Sequence, residues 1–201
     1  MKRTAQLISV IFNPLLIPAY AMAMAMILTP MAHLPIFTRI GATAVITVLT
    51  AVLPQMLICS LHSLKAISNI SLTERRERII PYSATCVLYI IAMVYLSRAS
   101  APQWLVDMML GAAVALVAVT LISLRWKISA HLTGMGGLCA FIAVLSTIPG
   151  ASPALMWVLI AAVLVSGCVG VARLGLERHT PAQIGAGYVL GAAAMALCSL
   201  I

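Results

Sequence analysis

Charge is scarce in this chain. Asp, Glu, Lys and Arg make up 8% of its 201 residues, where soluble domains carry about 25%. Acids are the scarcest: Glu74, Glu77, Asp107 and Glu177 complete the set. None lies at the centre of an apolar run, which argues against a proton-coupled transporter, whose carboxylates sit at membrane depth. The cysteines (Cys59, Cys86, Cys139, Cys168 and Cys198) stand alone in or beside apolar runs, with no CxxC and no spaced Cys/His set. A disulfide scaffold is thereby excluded, and the cysteines read as small apolar side chains. Alternating apolar patterns are missing too, so a β-barrel is excluded.

What remains is apolar. Hydrophobic residues make up 63% of the chain and the mean hydropathy is +1.13. A bilayer core about 30 Å thick takes about 20 apolar residues per helix. The expectation is an all-α polytopic bundle of six or seven transmembrane helices, one domain over 1–201. Seven apolar segments can be marked, at about 5–29, 38–62, 80–97, 104–124, 129–148, 154–172 and 181–201. The first is interrupted by Asn13-Pro14 and Pro18. Met1-Lys2-Arg3 resembles the start of a signal peptide, but the apolar run continues to Leu28 with no polar mature start. Residues 5–29 therefore read as a membrane segment. Small-residue patches at 111–113, 134–137, 185–187 and 191–194 fit close helix packing in lipid. Gly134 and Gly136 also suggest room near a bound headgroup.

Basic residues number 12 against 4 acids, a formal net charge of +8. They sit in short loops and line no stripe, so the expected partner is an anionic lipid headgroup or a phosphate, and not a nucleic acid. Crossing parity brings 63–79, 125–128, 173–180 and the N-terminus to one face. Lys65, Arg75, Arg76, Arg78, Arg125, Lys127, Arg173, Arg178, His62, His131 and His179 gather there. Arg39, Arg98, His33 and Asp107 fall opposite. By the positive-inside rule the crowded face points to the cytoplasm; if the first segment breaks at Pro14 and Pro18 and does not cross, that face points outward.

Three clusters on that face carry chemistry. In Ser71–Pro81, Arg75 and Arg78 are three apart and would share a helical face able to clamp a phosphate. The bland alternative is an interfacial helix with a Ser71/Glu74 capping box. In Arg125–His131, Ser129 fits a helix N-cap, helix-start amides favour an anion, and His131 could protonate a leaving oxygen. In Arg173–Gln183, Thr180 reads as N-cap, Pro181 as the first helical residue and Gln183 as the third, a capping box. His179 stands just before that helix, four residues ahead of Gln183, where it could attack phosphorus.

This order resembles the type 2 phosphatidate phosphatase superfamily, whose signatures are Lys-x6-Arg-Pro, Pro-Ser-Gly-His and Ser-Arg-x5-His-x3-Asp. Ala172-Arg173, His179 and Gln183 keep the spacing of the third, and Ile128-Ser129-Ala130-His131 follows the second. Arg75, Arg76 and Arg78 ahead of Pro81 follow the first loosely. The likeness spans about 65–190. It implies a lipid-phosphate or polyprenyl-phosphate phosphatase of a bacterial cytoplasmic membrane, independent of metal and cofactor. It further implies His179 as nucleophile and His131 as acid. Arg173, Ser129 and one or two of Arg75, Arg76 and Arg78 would hold the phosphate. Gln183 stands where the family has the Asp that orients the nucleophile, and Ala130 where it has Gly. A Gln amide can accept from the His ring or, flipped, donate to it. A catalytically weak relative that binds phospholipid headgroups or moves lipids is the alternative function.

Overall fold

The computed structural model describes residues 2–200, so Met1 of the basic start and Ile201 of the last apolar segment lie outside it. Eight α-helices follow in order: α1 Lys2–Ile11, α2 Ile17–Leu28, α3 Ile36–Ser63, α4 Ile79–Arg98, α5 Gln103–Ser123, α6 Ala130–Ser146, α7 Ala154–Gly175 and α8 Pro181–Cys198. Five are long and apolar enough to cross a membrane: α3, α4 with its leading turn, α5, α7 and α8. α2 and α6 are apolar but shorter. At 1.5 Å per residue, α2 is about 18 Å long and α6 about 25 Å. The outer surface of the long helices is greasy. Phe37 is 85% exposed and Trp157 73%, which suits lipid and would be costly in water.

The first apolar segment is not one continuous helix. Pro14 has no N–H and disfavours helical backbone at Asn13. The chain turns there, with Asn13 Oδ1 accepting from Leu15 N at 3.0 Å. α2 restarts at Ile17 with Pro18 in its first turn, where proline is tolerated. The polar stretch before α4 also departs from expectation. It forms no capped helix; Ser71 N instead donates to Asn69 Oδ1, and only Arg76–Arg78 makes a short 3-10 turn. Glu77 orders this stretch by accepting from Ser68 N and Oγ. α3 carries a π-helical insert, Val48–Val52, just ahead of Pro54. Such an insert accommodates a proline that cannot donate to the ladder.

The buried centre lies among α2, α5, α6 and α8, around Met22, Met108, Phe141, Ile142 and Met195. α6 and α8 run parallel and nearly in backbone contact. A Cβ added at Gly191 would lie 1.9 Å from Thr133 O, one at Gly136 2.0 Å from Tyr188 O, and one at Gly187 2.6 Å from Ser129 O. Only glycine fits at these three positions. Gly136 faces Tyr188 and serves packing, while Gly134 faces Ile17 of α2 and lines an apolar cavity, which suits a lipid tail better than a headgroup. α2 runs alongside α6: Ile17 meets Gly134 near the start of α6, and Leu28 O accepts from Ser152 N beyond its end.

Replacing Gly191 by Ala should therefore force the two helices apart and cost about 1–3 kcal/mol. Gly185→Ala, which meets nothing within 4 Å, should be neutral. Thermal unfolding in detergent compares the two; equal midpoints would show that the contact is not tight.

Candidate active site

The parallel packing of α6 and α8 sets their first turns side by side. Ser129, ahead of α6, donates its N–H to Gln183 O of α8 at 3.3 Å. Its carbonyl accepts from Thr133 N and from Thr133 Oγ1, both at 3.0 Å. With its main chain held this way, Ser129 sits at the N-cap position but its side chain makes no cap bond. Its Oγ is fully buried and has no partner. The capping expected of Ser129 is thus not made, and the hydroxyl and first amides of α6 stay available.

The capping box of α8 forms as the spacing requires. Thr180 Oγ1 accepts from Gln183 N at 3.4 Å, and Gln183 Oε1 accepts from Thr180 N at 3.2 Å. The same Oε1 lies 3.2 Å from His179 Nδ1. This contact decides the tautomer. An amide N–H can only donate, so the atom facing Thr180 N must be the Gln183 oxygen. Nδ1 faces that oxygen and also Lys127 O, at 3.3 Å. With two acceptors beside it, Nδ1 carries the proton, and Nε2 keeps its lone pair. The flipped amide is ruled out by the cap. Gln183 is therefore both cap and orienting group.

Arg173, at the end of α7, and His131, in the first turn of α6, come together on Ser9 of α1. Arg173 Nη1 lies 3.4 Å from Ser9 Oγ, and His131 Nε2 lies 3.1 Å from Ser9 O. Arg173 Nε is buried without a partner. Arg78, 4% exposed, donates from Nε to Leu72 O and from Nη1 to Ile128 O. Arg75 does not join it: its guanidinium turns to Arg125 O at 2.5 Å, and Arg76 is exposed. The two-arginine clamp expected from their spacing needs a helix that is absent here. Arg78 alone of the three enters the cluster. Arg178 is tied to Thr73 Oγ1 at 2.6 Å.

The bonds of these arginines all go to neutral oxygens, so their charge is left for an anion. That charge also acts on His179. Burial, and then the Arg173 guanidinium, push its pKa down from 6.5 to about 4. The ring is neutral at pH 7, as a nucleophile must be. The Ser9 and Lys127 carbonyls beside the two histidines have no side-chain motif in the sequence; Ser9 had one indirect signal, the Asn13-Pro14 break, which shows that the first segment turns near the site.

No family model, curated protein or solved structure matches this chain.

The depressed pKa has a sign. Between about pH 6.5 and 4 the unfolded chain binds a proton that folded His179 refuses. The stability from neutral His179 is present above that window and is lost as pH falls through it. Lowering the pH from about 7 to about 4 should reduce the thermal midpoint of the wild type more than that of His179→Gln. Parallel curves would contradict the assignment.

Proposed function

We propose that this protein is a membrane lipid-phosphate phosphatase. It hydrolyses a phosphomonoester or pyrophosphate of a lipid or polyprenyl substrate through a phosphohistidine on His179. The observation that carries the reading is the convergence on one spot of two imidazoles, two arginines and the start of α6. Ser129 Oγ and Arg173 Nε are left there buried and unpartnered. Buried polar groups are normally paired, and a bound phosphate would pair both. The resemblance of the three clusters to the type 2 phosphatidate phosphatase superfamily supports the same reading.

The proposed chemistry uses these groups as follows. His179 Nε2 attacks phosphorus while the bond to the leaving oxygen breaks. His131 gives that oxygen a proton. Water then attacks phosphorus, the P–N bond breaks, and His131 takes a proton from the water. Arg78, Arg173, Ser129 and the amides opening α6 hold the oxygens on which charge develops. Gln183 fixes the His179 tautomer without a formal charge, and Lys127 O shares that task.

In this reading α2 and α6 cross with the five longer helices, seven spans in all, and the substrate headgroup enters at the interface. The membrane is the bacterial cytoplasmic membrane, and the basic end bearing the site faces the cytoplasm.

A panel of lipid phosphates tests the reading by phosphate release. The wild type should release phosphate with or without chelator, and His179→Ala should release none. Gln183→Ala should turn over more slowly, while losing only about 1 kcal/mol of stability, the worth of one cap. Headgroup binding with no release from any lipid would favour the binding or transport alternative.

A further inference from the structure

The N-terminal segment holds a device that the three clusters do not contain. α1 ends at Ile11. In an unbroken helix Asn13 N–H would bond Ser9 O, and residue 14 would bond Val10 O. Residue 14 is Pro, so Val10 O loses its donor. Asn13 N–H shifts to Val10 O at 3.3 Å, and Phe12 N–H goes to Ile8 O at 3.0 Å. The carbonyl of Ser9 is thereby released from the ladder, and it meets His131 Nε2 at 3.1 Å. Ser9 is the buried residue of α1, and it reaches 122 residues along the chain to make this contact.

We propose that the main-chain carbonyl of Ser9 is a positioning group for His131, and that the Asn13-Pro14 break frees it for that purpose. The proposal rests on the phosphatase reading of the site. A general acid must hold a proton on the nitrogen that faces the leaving oxygen. With Nε2–H donated to Ser9 O, Nδ1 is the nitrogen that serves. In the charged ring Nε2–H stays on Ser9 and Nδ1–H passes to the leaving oxygen as its bond to phosphorus breaks. The neutral ring then keeps the Nε2 proton and later accepts one from water at Nδ1. Burial opposes a positive charge on His131 most, and the titratable and charged groups around it, Arg173, His179 and Arg78, oppose it further, so the ring takes its second proton only with the substrate's phosphate dianion beside it. The Ser9 oxygen and the negative end of the α1 dipole favour that charge. Ser9 Oγ, beside Arg173, ties the same residue to the phosphate-binding side.

The leaving group separates this role from a structural one. A diacylglycerol phosphate needs a proton on departure; p-nitrophenyl phosphate does not. Pro14→Ala restores the missing N–H, lets Asn13 return to Ser9 O and loosens His131. It should lower kcat/KM for the lipid by roughly tenfold or more, as weakening a general acid does, and leave p-nitrophenyl phosphate within about twofold. His131→Gln should shift the ratio in the same direction and further. Ser9→Ala keeps the carbonyl but removes the hydroxyl beside Arg173, so it should lower both rates in proportion and leave their ratio unchanged. A wild-type ratio in Pro14→Ala overturns the proposal, whether both rates fall or both persist. Absence of wild-type turnover on both substrates overturns the phosphatase reading and this role with it. Should Pro14→Ala not fold, histidine-selective nitrogen NMR of the wild type decides, with His131→Gln for assignment. A neutral His131 protonated on Nε2 supports the proposal, and one protonated on Nδ1 overturns it.

Discussion

The near-contact of the α6 and α8 backbones is the constraint on which the rest depends. Helices in lipid gain nothing from hydrophobic burial against one another and must associate by close packing. Here the packing has reached its limit, because Gly136, Gly187 and Gly191 face carbonyl oxygens with no room for a methyl group. Two parallel helices that close must start together. Their first turns therefore share a hydrogen bond, Ser129 N to Gln183 O, and the residues just ahead of them meet. His179 and His131 are 48 positions apart in sequence, yet they share a site because these three glycines hold the helix axes together. α7 and α4 then add Arg173 and Arg78, each at a helix end.

Economy of acceptors is the second theme. With four acids in the chain, the site orients its histidines with neutral oxygens. His179 Nδ1 is flanked by the Gln183 amide and Lys127 carbonyl, and His131 Nε2 by the Ser9 carbonyl. In a region crowded with guanidinium groups this is physically reasonable. A carboxylate would pair with Arg173 or Arg78 and neutralise the charge that the proposed function requires for a phosphate. Neutral carbonyls fix a ring proton and leave that charge in place.

Much of this was legible in the sequence, because each local signal had one physical meaning. Thr180-Pro181-Ala182-Gln183 could hardly be anything but a capped helix start, and the structure has it in full. The long apolar runs became α3, α4, α5, α7 and α8 with ends displaced by a few residues. Among the inferences that failed, two have clear physical reasons. The Arg75/Arg78 clamp assumed helical spacing in a stretch whose Ser68, Asn69 and Glu77 bonds build a loop. The Ser129 cap assumed a free first turn, but α8 holds that backbone in another direction. The Ser9 contact is made by a main-chain carbonyl, so the Asn13-Pro14 break hints at it but no side-chain motif records it.

The account stands or falls on a covalent bond between phosphorus and His179. Brief exposure of the wild type to a lipid phosphate carrying radiolabelled phosphorus, followed by alkaline quench and peptide mapping, measures it directly. The label should lie on the peptide containing His179, survive base, be lost in acid, and be missing from His179→Ala. Phosphate release from the wild type with no label on that peptide would contradict the account.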